Sequence, residues 1–257
     1  MRFVRLCLLY AVALAAACLF APAKAAPPPG TDWVMTFSDN FDAPALDPAI
    51  WSVSSSADGR RPNGDPAEVV VSDNALHLIC RHHMHGKDEW TSAGLWTRDF
   101  RQAFGYFEAR LRYAKATGLT NLFRLITDQP ISSGGFEIAV DEGRYPRLVS
   151  IQLHRPGARG LYVYRAKAGT DLSNDYHLYG LSWLPNSRGT TTLTWYVDGT
   201  PIQSAACPDC TRPVRLWLGT RVITGSGPFA PPSSGVSMDV DYVRVYQVRT
   251  TAMHHQQ

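Results

Sequence analysis

Residues 135–143 read Gly135-Phe136-Glu137-Ile138-Ala139-Val140-Asp141-Glu142-Gly143, and the architecture turns on how they are read. Phe136, Ile138 and Val140 alternate with Glu137, Ala139 and Asp141. A period of two sends successive side chains to opposite faces of a strand. The apolar set is expected in a core, with Glu137, Ala139 and Asp141 on the other face. Glu142 joins Glu137 there only if a β-bulge adds one residue near Val140–Asp141. Without the bulge, Asp141 is the second acid of that face. Either way two carboxylates share one side of a strand, which is costly unless a site uses them. Such a pair suits glycoside hydrolysis: one carboxylate attacks the anomeric carbon and the other protonates the leaving oxygen. A solvent-facing strand with exposed acids is the other reading of the same residues.

The rest of the chain repeats the strand pattern. Glu68 to Val71 and Ala75 to Ile79 flank a turn at Asp73-Asn74. Tyr106 to Arg112 alternates, as does Thr192 to Val197, which ends at the tight-hairpin pair Asp198-Gly199. Asp239 to Tyr246 makes a last strand. No stretch after residue 30 keeps a helical period, and no repeats, βα units, P-loop, G-x-S-x-G or H-E-x-x-H occur. Many short strands separated by turn residues predict an all-β sandwich over residues 33–248.

Composition sets the outer limits. The 257 residues are 45% hydrophobic and 18% charged, which excludes a disordered chain, a coiled coil and collagen. Arg2, Arg5 and Lys24 precede any acid, and an apolar run from Leu6 to Phe20 leads to the small-x-small triplet Ala23-Lys24-Ala25. Residues 1–25 therefore read as a secretory signal peptide, residues 26–32 as an extended linker, and residues 249–257 as a disordered tail. The formal charge of +3 is carried by that leader, since the remainder balances its bases against all 22 acids. Nucleic acid is not expected as a partner. The mature protein is expected to be secreted, monomeric and free of the membrane. Cys207-Pro208-Asp209-Cys210 is expected to form a local disulfide, leaving Cys80 buried in a strand. His82-His83-Met84-His85 reads as an exposed loop rather than a metal cluster.

A set of ordered landmarks resembles glycoside hydrolase family 16, the laminarinase, lichenase and agarase group. They are Phe37-Ser38-Asp39-Asn40-Phe41-Asp42, Gly105-Tyr106-Phe107-Glu108-Ala109-Arg110, Tyr176 to Trp183, Trp195-Tyr196-Val197-Asp198-Gly199 and Asp241-Tyr242-Val243-Arg244-Val245-Tyr246. The resemblance implies a jelly-roll β-sandwich of two antiparallel sheets with a concave glycan-binding cleft. It implies a retaining glycosidase or transglycosylase acting on a polysaccharide, with β-glucan favoured. The family's active strand reads E-x-D-x-E, or E-x-D-x-x-E with a bulge. Glu137 falls on the nucleophile. Glu142 falls on the acid/base in the bulged form and Asp141 in the other; Glu142 is preferred because it keeps the residue type.

Three departures stand out. Ala139 replaces the middle Asp, Gly135 lacks the aromatic of some relatives, and Arg124 stands where relatives place a sugar-stacking ring. Arg124 is expected to pair with Glu137 or Asp141, or to bind a sulfate or uronate. The other reading of the chain is accordingly a catalytically impaired glycan-binding protein. Glu108, Arg110, Gln152, His154 and Trp183 are the remaining candidates for substrate contact. No cofactor is required, and Asp241 resembles the family's ligand for a structural calcium.

Overall fold

The computed structural model describes residues 27–55, 64–85, 88–157, 161–186, 190–223 and 234–249. The signal peptide reading and residues 250–257 of the tail lie outside them. Among the described residues seventeen strands follow one another: β1 Trp33–Asp39, β2 Trp51–Val53, β3 Val69–Ser72, β4 Ala75–Cys80, β5 His82–His85, β6 Asp88–Trp90, β7 Gly94–Thr97, β8 Gly105–Arg112, β9 Leu119–Thr127, β10 Glu137–Asp141, β11 Leu148–His154, β12 Leu161–Lys167, β13 His177–Pro185, β14 Thr191–Val197, β15 Thr200–Ala206, β16 Val214–Val222 and β17 Val236–Val248. No described helix is long and apolar enough to cross a membrane.

Two large antiparallel sheets result, as the alternation predicts. One runs β15-β14-β13-β8-β17-β4-β3, with β1 added to β17, and the other runs β12-β11-β10-β9-β16-β7-β2. Strands β5 and β6 form a separate ribbon, so His82–His85 is a paired strand rather than a loop. Asp73 and Asn74 adopt φ of 51° and 56°, and Asp198 and Gly199 adopt 49° and 76°. These left-handed pairs match the right-handed twist of the strands they join.

The core lies between the sheets. The eight-stranded sheet contributes Phe107, Leu111, Tyr179, Leu181, Trp183, Trp195 and Val243, and the seven-stranded sheet contributes Phe123, Leu125, Ile138, Ile151, Leu216 and Leu218. Trp183 packs on Phe104, Phe107 and Phe136, and its indole N–H donates to Cys210 O at 3.1 Å. Cys207 and Cys210 form the expected disulfide, and Cys80 is buried. Burial pushes the Cys80 thiol up to about 12, as does the nearby Glu68.

One polar contact crosses the core to the decisive strand. The Trp195 indole N–H, from β14, donates to Ala139 O at 2.9 Å. Ala139 is where β10 loses register with β9: Ala139 faces Arg124, and Asp141, two residues on, faces Phe123, one residue on. The bulge anticipated at Val140–Asp141 is therefore present, and the indole satisfies a carbonyl beside it. We expect Trp195→Phe, which keeps a ring and removes that donor, to lower unfolding free energy by about 1–3 kcal/mol for the unsatisfied buried carbonyl. Denaturant titration would measure the loss.

Candidate active site

The bulge sorts the two acids that alternation leaves in competition. Val140 and Asp141 both fall on the core side, and Glu142 turns outward. Asp141 is 1% exposed. It accepts the Tyr113 hydroxyl at 2.6 Å, Gly143 N at 3.1 Å and Ser150 N at 3.3 Å. Burial pushes its carboxyl up to about 8 against the pull of those three donors. Asp141 is thus a core group, and its place as the second acid of the Glu137 face is corrected. Gly143 follows with no room for a side chain, since a Cβ there would lie 1.7 Å from the Tyr113 hydroxyl. Gly135 is sterically required too: its Cβ would lie 1.9 Å from Gln129 O. That removes the missing aromatic at this position from the argument about activity.

The outward face of the seven-stranded sheet gathers Glu137, Glu142, Arg124, Gln152 and His154. Arg124, from the middle of β9, contacts both acids. Its Nη1 lies 3.4 Å from Glu137 Oε2, and its Nη2 pairs with Glu142 Oε1. The expected pairing with Glu137 is present, and the second partner is Glu142 rather than Asp141. Arg124 faces Ala139 across the β9–β10 ladder, so its guanidinium extends beside a methyl group instead of a third carboxylate. Glu142 is 3% exposed and takes a further bond from Gln152 Nε2 at 2.5 Å. His154 Nε2 contacts Gln152 Oε1 at 3.2 Å, and His154 stands opposite Glu137 in the β10–β11 ladder. A polar relay thus runs His154–Gln152–Glu142–Arg124–Glu137.

Next along the same face comes an aromatic pair. Trp217 on β16 faces Arg124 on one side and Trp96 of β7 on the other. The Arg124 guanidinium lies 5.5 Å from the Trp217 ring centroid. Sequence reading places the stacking aromatic at Trp183, which is instead fully buried. Alternation along Val214–Val222 does carry the signal: Val214, Leu216 and Leu218 are buried while Arg215, Trp217 and Arg221 are not.

Other candidates lie elsewhere. Glu108 and Arg110 belong to the outer face of the eight-stranded sheet, across the core from Glu137, so they do not contribute to the site. Glu108 faces Arg244 and is pushed up to about 7 by burial. Arg110 Nη1 holds Asp241 Oδ2 at 2.7 Å and lies over the Tyr176 ring. Asp241 is therefore paired with a guanidinium. Among the described residues no group of three or more His, Cys, Asp or Glu side chains stands together as a metal site.

Comparison with known proteins identifies the chain's family and fold. Residues 62–213 match the family profile Glycosyl hydrolases family 16. The chain is 26% identical over 234 residues to a beta-glucanase of Acetivibrio thermocellus, a match covering 88% of this chain and 66% of that relative's length. It is 32% identical over 128 residues to a beta-glucanase of Bacillus amyloliquefaciens, covering 47% of this chain and 51% of that one. Its fold is similar to the catalytic domain of an endo-1,3-beta-glucanase (laminarinase) from Thermotoga petrophila, with a TM-score of 0.74 and 21% identity over 86% of this chain and 100% of that one.

The two raised carboxyls set a pH dependence of stability. Each is protonated in the fold at pH values where the unfolded chain has released its proton, so unfolding sheds protons. Stability then falls as pH rises, from about 4.5 to 7 for Glu108 and from about 4 to 8 for Asp141. We expect Asp141→Asn to flatten the decline between pH 7 and 8, and Glu108→Gln to flatten it only between about 4.5 and 7. Unfolding midpoints measured across pH would check both.

Proposed function

The chain belongs to glycosyl hydrolases family 16, and from that membership we propose that the outward face of the seven-stranded sheet binds a polysaccharide and cleaves it with retention of configuration. A β-glucan backbone is favoured by the names of the similar proteins. Glu137 attacks the anomeric carbon while Glu142 gives its proton to the departing glycosidic oxygen. The glycosyl–Glu137 ester is then opened by water, or by a second sugar hydroxyl in transglycosylation, with Glu142 taking the proton back. The single observation that carries this reading is the β10 bulge, which brings Glu137 and Glu142 together on one outward face. A double displacement needs both acids at one anomeric carbon, and a shared face meets that need.

Arg124 has two consequences for the reaction. It balances the charge of the pair in the resting site. It also has to release Glu142 before that oxygen can reach a glycosidic oxygen. Trp217 and Trp96 offer ring faces on which sugars stack through their C–H bonds. The N-terminal leader and the Cys207–Cys210 disulfide support export to an oxidising compartment, where a monomer would meet its polymer.

A second reading, retention of glycan without cleavage, is favoured by the same guanidinium, which occupies both carboxylates beside Ala139. Product release from laminarin, mixed-linkage β-glucan, agarose and carrageenan would separate the two. We expect cleavage of one substrate, loss of all cleavage in Glu137→Gln, and a fall of roughly 10²–10⁴-fold in Glu142→Gln. Binding of a glycan by the unmodified protein with no products would establish the second reading instead.

A further inference from the structure

Beyond Glu142 the outward face carries more cation than its acids can balance. Successive outward positions on neighbouring strands form rows across the sheet. Thr120 of β9 faces Arg221 of β16 in the ladder. On the other side, Asn121 N donates to Gly143 O at 2.8 Å, which brings Arg144 beside Thr120. Gly143 points at the core residue Tyr113, so alternation sends Arg144 outward. The row is therefore Arg144–Thr120–Arg221, and the row next to it contains Glu142.

Two features show that this row is unsatisfied. Thr120 is 1% exposed, and its Oγ1 is buried with no hydrogen-bond partner among the described residues. A buried hydroxyl normally has one. The guanidinium groups are short of acids as well. Among the described residues the only acid Arg221 reaches is Glu142, at Oε2 3.7 Å away, and Glu142 is already held by Arg124. Arg144 has no ion-pair partner among the described residues, whereas Arg215, at the far end of β16, is paired with Asp128. Three cations (Arg124, Arg144 and Arg221) thus face two acids. Partial burial, followed by the charges of Arg124 and Arg144, pulls the Arg221 guanidinium below its ordinary value.

We propose that Arg144, Thr120 and Arg221 form a subsite for an anionic substituent, a sulfate ester or a carboxylate, on the polysaccharide bound beside Glu142. This deepens the glycan-cleft reading and rests on it. Two guanidinium groups supply charge-assisted donors that match the oxygens of either group, and the Thr120 hydroxyl gains the partner it lacks. Trp217 and Trp96 would hold the sugar rings, and this row would select chains with charge at one end of the cleft. The substrate class is then an acidic polysaccharide rather than a neutral one.

The test keeps the backbone constant and varies only the charge. Laminarin, chemically sulfated laminarin and carboxymethylated laminarin would be compared by affinity electrophoresis of the whole protein, beside κ-carrageenan, polygalacturonate and agarose as chains of other backbones. We expect at least one acidic chain to bind about tenfold tighter than its neutral counterpart, with the gain eroded by salt. Arg144→Gln and Arg221→Gln are each expected to bring the acidic-to-neutral affinity ratio down toward one, a loss of up to about tenfold. Arg221→Lys, which keeps the charge and loses the planar fork, should retain part of the ratio. Sulfated and carboxymethylated chains distinguish the two anions. Equal binding of neutral and acidic chains, or a ratio unmoved by both glutamine variants, would overturn the subsite and leave the glycan cleft standing. Failure of every chain to bind would overturn the cleft reading and the subsite with it.

Discussion

One extra residue in β10 governs the whole outward face. A strand without the bulge would set Asp141 beside Glu137 and send Glu142 into the core. With it, Asp141 turns to Tyr113, Glu142 turns to Arg124, and Arg144 emerges two positions on. The core enforces this geometry from behind: Trp195 holds the Ala139 carbonyl, while Tyr113, Gly143 N and Ser150 N converge on Asp141. A locally irregular backbone is stable here because its freed polar groups find partners.

Charge is the second constraint. Glu137 and Glu142 would repel each other if left alone on one strand. A guanidinium from the neighbouring strand stands between them, and Ala139 leaves it room. The pair Ala139 and Arg124 therefore belongs together: one side chain gives up a negative charge, and the cross-strand partner supplies a positive one. The arrangement offsets the repulsion and occupies oxygen atoms of both acids.

Much of the fold was legible because alternation is local. The strands at Tyr106–Arg112 and Thr192–Val197 and the turns at Asp73-Asn74 and Asp198-Gly199 all follow from neighbours in sequence. The bulge was legible only as an alternative, since no glycine marks Val140–Asp141 and the slip depends on partners in β9 and β14. Which face of a strand meets solvent is a long-range property. For that reason Trp183 and Trp217 look alike in sequence, yet one fills the core and the other faces out. Glu108 and Glu137 both alternate away from the core but on opposite sheets, a difference that strand pairing and not alternation decides. His154 and Gln152 were found because they share a face with each other, and the adjoining ladder brings that face to Glu137.

Alternation has a last consequence, one of history. Phe123, Leu125 and Ile138 maintain the sandwich, while Arg124 and Ala139, their immediate neighbours in sequence, face away from it. A replacement at either outward position alters what the surface meets without disturbing what the interior needs. A lineage built on such a sheet can exchange an aromatic for a cation, or an acid for a methyl group, and remain folded at every step. Its descendants diverge in chemistry along one side of the strand while the other side stays under the constraint of packing.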